Sequence, residues 1–240
     1  MQAGKDHRVN RLLAALAPED LAYLEPHLEV VHLQRRQVLY ETGDTMRHAY
    51  FPHDMVISIV AVMQDGRSAE MSLYGPEGVA GLLVAGGTGQ SLGRYIAQLA
   101  GTASRVAIDT MYRVMSERPN IQRLVRHFTE ATMARDLQSV ACNALHTVEA
   151  RCCRFILTIH YRINRDTLAL THEFLAERLG VQRTTVSAVM SKLQTRGLIR
   201  QAKGGITVTD PVSLEAEACE CYGRIRDVLE ELLPYPPSTR

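Results

Sequence analysis

Arg183, Thr184, Ser187, Ala188 and Lys192 recur at helical spacing, so a helix through this stretch presents them together on one side. Their chemistry suits a duplex groove. A guanidinium fork matches the O6/N7 pair of guanine, hydroxyls bond base edges or phosphate oxygens, a small methyl packs on thymine methyls, and an ammonium neutralises phosphate. Val186, Val189 and Leu193 repeat on the opposite side, which predicts that this helix is buried there and open along its polar side.

The neighbouring residues look built to hold such a helix. Upstream, Phe174, Leu175 and Leu179 give a first short helix its apolar side, and Ala176 is small enough for a second helix to cross closely. Gly180 stands where the intervening turn needs positive φ, which glycine adopts at little steric cost. Downstream, Gly197-Leu198-Ile199-Arg200 and Lys203-Gly204-Gly205-Ile206-Thr207-Val208-Thr209 read as a strand, a tight turn and a second strand. Thr171 to Gly205 therefore reads as a winged helix-turn-helix. Arg178, Arg183, Lys192, Arg196, Arg200 and Lys203 are six basic residues, and no acid lies among residues 178–203. An ordinary helical hairpin requires none of these coincidences, so the expected partner is double-stranded DNA.

The 240 residues suffice for one large domain or two smaller ones, and 46% apolar with 22% charged residues describes a globular chain. A formal charge of +1 decides nothing, but its distribution does: Glu215, Glu217, Glu220, Glu230 and Glu231 offset the basic run. No apolar run approaches the ~20 residues that span a bilayer. The N-terminal residues lack a secretory apolar segment. A cytoplasmic location without a membrane partner is expected. Five cysteines without framework spacing suit free thiols in a reducing compartment.

In the first half the hydrophobic period changes from 3.6 to 2. After short helices around Arg11–Leu16 and Pro18–Leu24, strands are predicted at Val30–Arg35, Gln37–Tyr40, His48–Phe51, Met55–Met63, Ala69–Leu73, Arg94–Leu99 and Ala103–Ile108. Asp65-Gly66 is the sharpest hairpin signal among them. Gly86-Gly87-Thr88-Gly89 reads as a flexible turn, since no Lys-Ser/Thr follows to make a phosphate loop. Many short strands at this spacing predict a β-roll or jelly-roll-like barrel. A short helix from Asp109 ends before Pro119, and a long one follows, with Ile121, Val125, Phe128, Met133, Leu137, Val140 and Ala144 as its apolar stripe. The step from Phe128 to Met133 breaks the rhythm. We expect Ile121, Val125, Phe128 and Leu137 to face a second copy of the chain; the alternative is packing on its own roll. The expected class is thus α+β: residues 1–117 a sensor β-roll with flanking helices, 118–145 a long dimerisation helix, and 146–240 the winged helix-turn-helix domain.

Roll, long helix and winged motif in this order resemble the Crp/Fnr superfamily of bacterial transcription regulators. The resemblance is carried by Leu175-Ala176, Leu179-Gly180-Val181, Arg183, Val186-Ser187, Leu193 and Gly197-Leu198-Ile199. Glu41-Thr-Gly43-Asp44 and Gly75-Pro-Glu-Gly78-Val-Ala-Gly81 are similar to parts of that family's cyclic-nucleotide-binding-like roll, and Cys219-Glu-Cys221-Tyr222 is similar to one of its branches. The resemblance implies a homodimer on a near-palindromic operator, a signal at the roll that repositions the recognition helices, and recruitment or blocking of RNA polymerase. It implies that Arg183 reads guanine and that Thr171, Gln182 and Thr185 contact phosphate. Lys192 and Lys203 are expected to do likewise. Thr184 stands where the family usually has an acid and Ala188 where it often has a second arginine, so a different half-site is implied.

The residues say less about the signal. Ungapped counting puts Arg94 at the family's cyclic-phosphate arginine, but Tyr95 follows in place of a small hydroxyl, and Leu82 follows Gly81 in place of glutamate. A phosphate-facing arginine needs such helpers, and cyclic nucleotide is not expected. Nor is an iron–sulfur cluster: no cysteine precedes Cys142, and four thiolates are the rule. Cys219 and Cys221 are read on one terminal helix, capped by Asp210 and Pro211, where residues two apart face different sides and cannot share an ion. Cys221 then joins the stripe Leu214, Ala218, Ile225 and Val228, and Cys219 becomes a flank open to redox chemistry. No metal site is predicted. Haem held by His48 or His53 is a further option, and activity that follows concentration or a protein partner is another. The competing class is a metal-dependent cupin-like enzyme, which needs histidines that converge. His48 and His53 lie five apart and face opposite sides of a strand. No catalytic residues are predicted.

Overall fold

The computed structural model describes residues 6–82, 89–163, 165–202 and 204–233. The turn expected at Gly86-Gly87-Thr88 and the phosphate contact expected at Lys203 lie outside the described residues. The chain forms two compact units, one of Met1–Ala61, Met71–Met133 and Val228–Arg240, the other of Val62–Glu70 and Ala134–Asp227.

The chain opens with α1 (Arg11–Ala14) and α2 (Pro18–Leu24), followed by β1 (Glu29–Leu33), β2 (Val38–Tyr40), β3 (His48–Pro52), β4 (Val56–Val62), β5 (Ser68–Tyr74), β6 (Arg94–Leu99) and β7 (Gly101–Ala107), the end of β4 at Val62 and the start of β5 through Glu70 belonging to the second unit. Buried Asn10 organises the entry: its carboxamide oxygen caps the Leu13 amide at 3.1 Å while its nitrogen donates to the Pro52 and Gly78 carbonyls, each at 2.9 Å. The strands form two antiparallel sheets, ordered β1-β7-β3 and β2-β6-β4-β5. Along β6 the alternation sends Tyr95, Ala97 and Leu99 inward, as a half-buried strand requires. The turn at Asp65-Gly66 joins β4 to β5, with Gly66 at φ 83°. This is the β-roll that the period-2 pattern predicts.

Aromatic rings fill part of the roll. Tyr40 packs edge-on against Tyr95 and Tyr50, with centroids 5.8 and 6.4 Å away. Its hydroxyl accepts from the His48 amide at 2.8 Å and donates to the His48 carbonyl at 3.0 Å.

After α3 (Ile108–Glu117) the 27-residue α4 runs from Pro119 to Leu145. Here one expectation is corrected. Ile121, Val125 and Phe128 are buried in the chain's own first unit; Ile121 and Val125 line a small apolar space with Leu12, Leu13, Leu24, Phe51 and Met111, and Phe128 faces Tyr74. They are not available to a second copy. The five-residue step to Met133 turns the apolar side by about 140°, and Met133, Leu137 and Val140 stand exposed, Leu137 at 63%. Meanwhile the buried side of α4 continues through Ala131, Arg135, Ser139 and Cys142, most of them invisible to a hydrophobic pattern.

The second unit contains α5 (Val148–Ile163), β8 (Thr167–Leu168), α6 (His172–Leu179), α7 (Arg183–Thr195), β9 (Ile199–Ala202), β10 (Gly205–Val208), α8 (Pro211–Glu217) and the start of α9 (Cys221–Leu232). The single terminal helix expected after Asp210 is two helices. Asp210 caps Ser213 at 3.0 Å as predicted, but Ala218 is extended at ψ 156° and the chain bends before Cys221. No helix among the described residues is long and apolar enough to cross a membrane.

Candidate nucleic-acid interface

The winged motif is assembled by local rules that can be read residue by residue. Thr171 caps α6, its hydroxyl oxygen accepting from the Phe174 amide at 3.2 Å, a contact worth about 1 kcal/mol. Gly180 ends α6 in the left-handed region, at φ 65° and ψ 37°, so the chain turns back at once. Phe174, Leu175, Ala176 and Leu179 are buried, and Phe174 meets Phe155 of α5 edge-on at 5.6 Å. Gln182 precedes α7, whose buried residues are Val186, Met190 and Leu193. The buried set therefore uses Met190 where Val189 was expected; both satisfy a 3.6 period, and the crossing with α6 selects between them. The wing pairs β8-β10-β9, with Gly204 at φ 91° in the turn between β9 and β10.

On the opposite side Gln182, Arg183, Thr184, Thr185, Ala188 and Lys192 are exposed together, and Ser187 is half-buried beside them. Of the five residues that the spacing groups, Arg183, Thr184, Ala188 and Lys192 are exposed and Ser187 is half-buried. Arg183 Nε lies 2.8 Å from Glu173 Oε1 of α6, and both groups are well exposed. Lys192 Nζ lies 2.7 Å from Glu149 Oε2 of α5. Arg196 pairs with Glu217, and each holds the other's charge: hydrogen bonding raises Arg196 and depresses Glu217.

A polar relay not anticipated from the pattern fixes α7 against the wing. His172 Nδ1 lies 2.9 Å from Ser187 Oγ and its Nε2 lies 2.8 Å from Gln201 Oε1, while the Gln201 amide donates to Gln194 Oε1 at 2.8 Å. The signal for it was the count of hydrogen-bonding side chains on three adjacent elements, which no periodicity captures. Arg178, counted among the basic residues of the motif, turns inward instead. Its Nε sits 3.0 Å from Glu70 Oε1 and its guanidinium 5.1 Å from the Phe155 ring; burial lowers its pKa, the carboxylate opposing that effect. It is removed from the DNA-facing set.

Elsewhere, Arg94 pairs with Glu41 at 2.8 Å, and the neighbouring Tyr95 ring is buried within the roll, its hydroxyl pushed far above the ordinary tyrosine range by desolvation. His53 is hydrogen-bonded to Thr102 at 3.2 Å and Ser104 at 2.7 Å. The cysteines also depart from expectation. Because the chain bends between α8 and α9, Cys219 is buried, not a flank, and Cys219 and Cys221 approach Cys142 and His146 so closely that all four ligand atoms lie within 4.8 Å of one another. Two sulfurs on a single helix would have faced apart; across this bend they do not.

Fold and site together define a DNA-binding transcription regulator with a β-roll and a winged helix-turn-helix. Residues 150–217 match the Crp-like helix-turn-helix domain. It is 23% identical over 200 residues to the global nitrogen regulator of Synechococcus elongatus, covering 79% of this chain and 90% of that one. It is 22% identical over 221 residues to the nitrogen fixation regulation protein FixK of Bradyrhizobium diazoefficiens, covering 88% and 91%. Among solved structures, FixK2 from Bradyrhizobium japonicum superposes with a TM-score of 0.71 at 16% identity, covering 80% of this chain and 98% of that one. A Crp-family transcriptional regulator from Thermus thermophilus gives 0.65 at 21% identity, covering 78% and 96%. These likenesses establish the fold.

Proposed function

We propose that the protein acts as a cytoplasmic homodimer reading a near-palindromic operator, with Arg183 on guanine and Thr184, Ser187 and Ala188 completing the base readout. Thr171, Gln182, Thr185, Lys192 and Lys203 hold phosphates, and the bound dimer contacts RNA polymerase. The single observation that carries this reading is the shared exposure of Gln182, Arg183, Thr184, Thr185, Ala188 and Lys192 on α7, over the buried Val186, Met190 and Leu193. With an acid and an arginine of the usual family pattern replaced by Thr184 and Ala188, the preferred half-site is richer in contacts to thymine methyls.

The functional division follows residues 1–117, 118–145 and 146–240, with dimerisation along the exposed apolar side of α4 at Met133, Leu137 and Val140. The pairing of Arg94 with Glu41, and a buried tyrosine where a phosphate-binding hydroxyl is needed, argue against a cyclic nucleotide as the signal at the roll.

Selection of bound sequences from a random DNA pool tests the reading. Two half-sites one helical turn apart, about 10 base pairs centre to centre, are expected. Enrichment of no sequence, or of a single asymmetric site, would reject it.

A further inference from the structure

We propose that Cys142, His146, Cys219 and Cys221 form a structural zinc site that ties the C-terminal end of α4 to the junction of α8 and α9. Four kinds of observation carry it, and none depends on how the DNA is read.

The first is spacing and placement. Cys142 occupies the last turn of α4 and His146 follows it by four residues, so one helical turn brings both to the same side, with the His146 amide donating to the Cys142 carbonyl at 3.1 Å. Cys219 lies among the three non-helical residues 218–220 and Cys221 opens α9, so the two sulfurs are not held apart as they would be on one helix. Cys142, Cys219 and Cys221 are all buried and pack on one another, with Ala150 against them.

The second is size. Zinc–sulfur bonds of about 2.3 Å place tetrahedral ligand atoms about 3.8 Å apart. Cys142 Sγ and Cys219 Sγ are 3.5 Å apart, Cys221 Sγ and His146 Nδ1 are 3.7 Å apart, and all four atoms lie within 4.8 Å. That is the span of a single ion. A cubane iron–sulfur cluster sets each thiolate on its own iron, with sulfides between the irons, and spreads its ligands wider. Three thiolates and an imidazole closing every position suit zinc in a structural role.

The third is what surrounds the donors. His146 offers Nδ1 to the cluster, and its other nitrogen, Nε2, lies 3.1 Å from Glu220 Oε2. A carboxylate on the far nitrogen fixes the ring's tautomer and orientation, the usual support of a metal-bound histidine. Gln138 Nε2 donates to Cys221 Sγ at 3.0 Å, a hydrogen bond that favours a thiolate over a thiol.

The fourth is charge. Three thiolates leave a divalent ion with one excess negative charge, and buried Arg154 attracts both Cys142 and Cys219. Binding exchanges their protons for the metal.

The experiment uses the full chain, purified under reducing conditions without chelator. Elemental analysis is expected to find about one zinc per chain, without acid-labile sulfide. Cobalt added to the stripped protein is expected to give the intense visible bands of a tetrahedral thiolate site. Glu220→Gln is expected to weaken zinc binding about 10- to 100-fold while leaving the ligands intact. Cys142→Ser or Cys219→Ser removes a ligand and is expected to abolish stoichiometric zinc. Since these variants can also misfold, His146→Cys supplies the control: it retains one metal and shifts the cobalt spectrum toward four thiolates. Zinc well below stoichiometric together with no tetrahedral cobalt bands would overturn the site and leave three cysteines packed as small apolar residues. Iron with labile sulfide in place of zinc would overturn it equally.

Discussion

Arg183 of the recognition helix is held by Glu173 of the preceding helix, Nε to Oε1, at 2.8 Å across the turn at Gly180. Both groups are exposed, so the pair contributes little stability by itself. What it does is aim. A guanidinium already oriented by a carboxylate loses less side-chain freedom when it meets guanine. Arg183→Ala is therefore expected to cost about 1–3 kcal/mol of discrimination at one base pair of each half-site. Glu173→Gln is expected to lower the discrimination ratio while raising affinity for unrelated DNA, because one negative charge leaves the interface. Competition binding with specific and random duplexes measures both. An unchanged preferred sequence in Arg183→Ala would reject the readout role.

Lys192 differs in that its ammonium pairs with Glu149, and in the proposed reading it holds a phosphate and reads no base. Lys192→Ala is expected to weaken all sequences alike and to reduce the salt dependence of log K by about 1. Lys203→Ala is expected to do the same. Binding isotherms at several salt concentrations decide this; a loss confined to the specific site would move Lys192 into the base-reading set.

The two halves of α4 give opposite expectations. Leu137 is 63% exposed, and Leu137→Asp is expected to produce folded monomers whose operator affinity falls roughly 100-fold or more, since one half-site no longer helps the other. Phe128 is buried beside Tyr74, and Phe128→Asp is expected to cost at least the ~3–5 kcal/mol of a large-to-small core change, unfolding the first unit without changing the surface that dimerises. Light scattering and thermal melting separate the two outcomes. A dimeric Leu137→Asp protein would remove this face from the interface.

Stability should depend on acid through His53. Burial, with His7 nearby, lowers its pKa, and His48 is lowered by burial as well. The unfolded chain then takes up protons near the ordinary histidine value of 6.5 while the folded one resists. This contribution is complete above that pH and is lost as pH falls below it. Urea unfolding across a pH series is expected to show stability declining below 6.5, with a shallower decline in His53→Gln. An identical slope in the variant would assign the dependence elsewhere.

How far the chain was legible from its residues alone depends on the range of the interaction. Caps, turns and alternation are local: Gly180, Asp65-Gly66, Asp210 and the strands of the roll were all expected from neighbours within a few positions, and the structure agrees because those rules act through short backbone hydrogen bonds and steric limits. The outward face of α7 was readable for the same reason. Tertiary structure decided the rest. It chose Met190 over Val189, buried Arg178 against Glu70, took Ile121, Val125 and Phe128 into the chain's own core, and gathered Cys142 and His146 with two cysteines more than seventy positions away. A helical period leaves the rotation of each helix undetermined to within one residue, and only packing against a specific neighbour removes that freedom. Contacts between distant positions leave no period in the sequence at all.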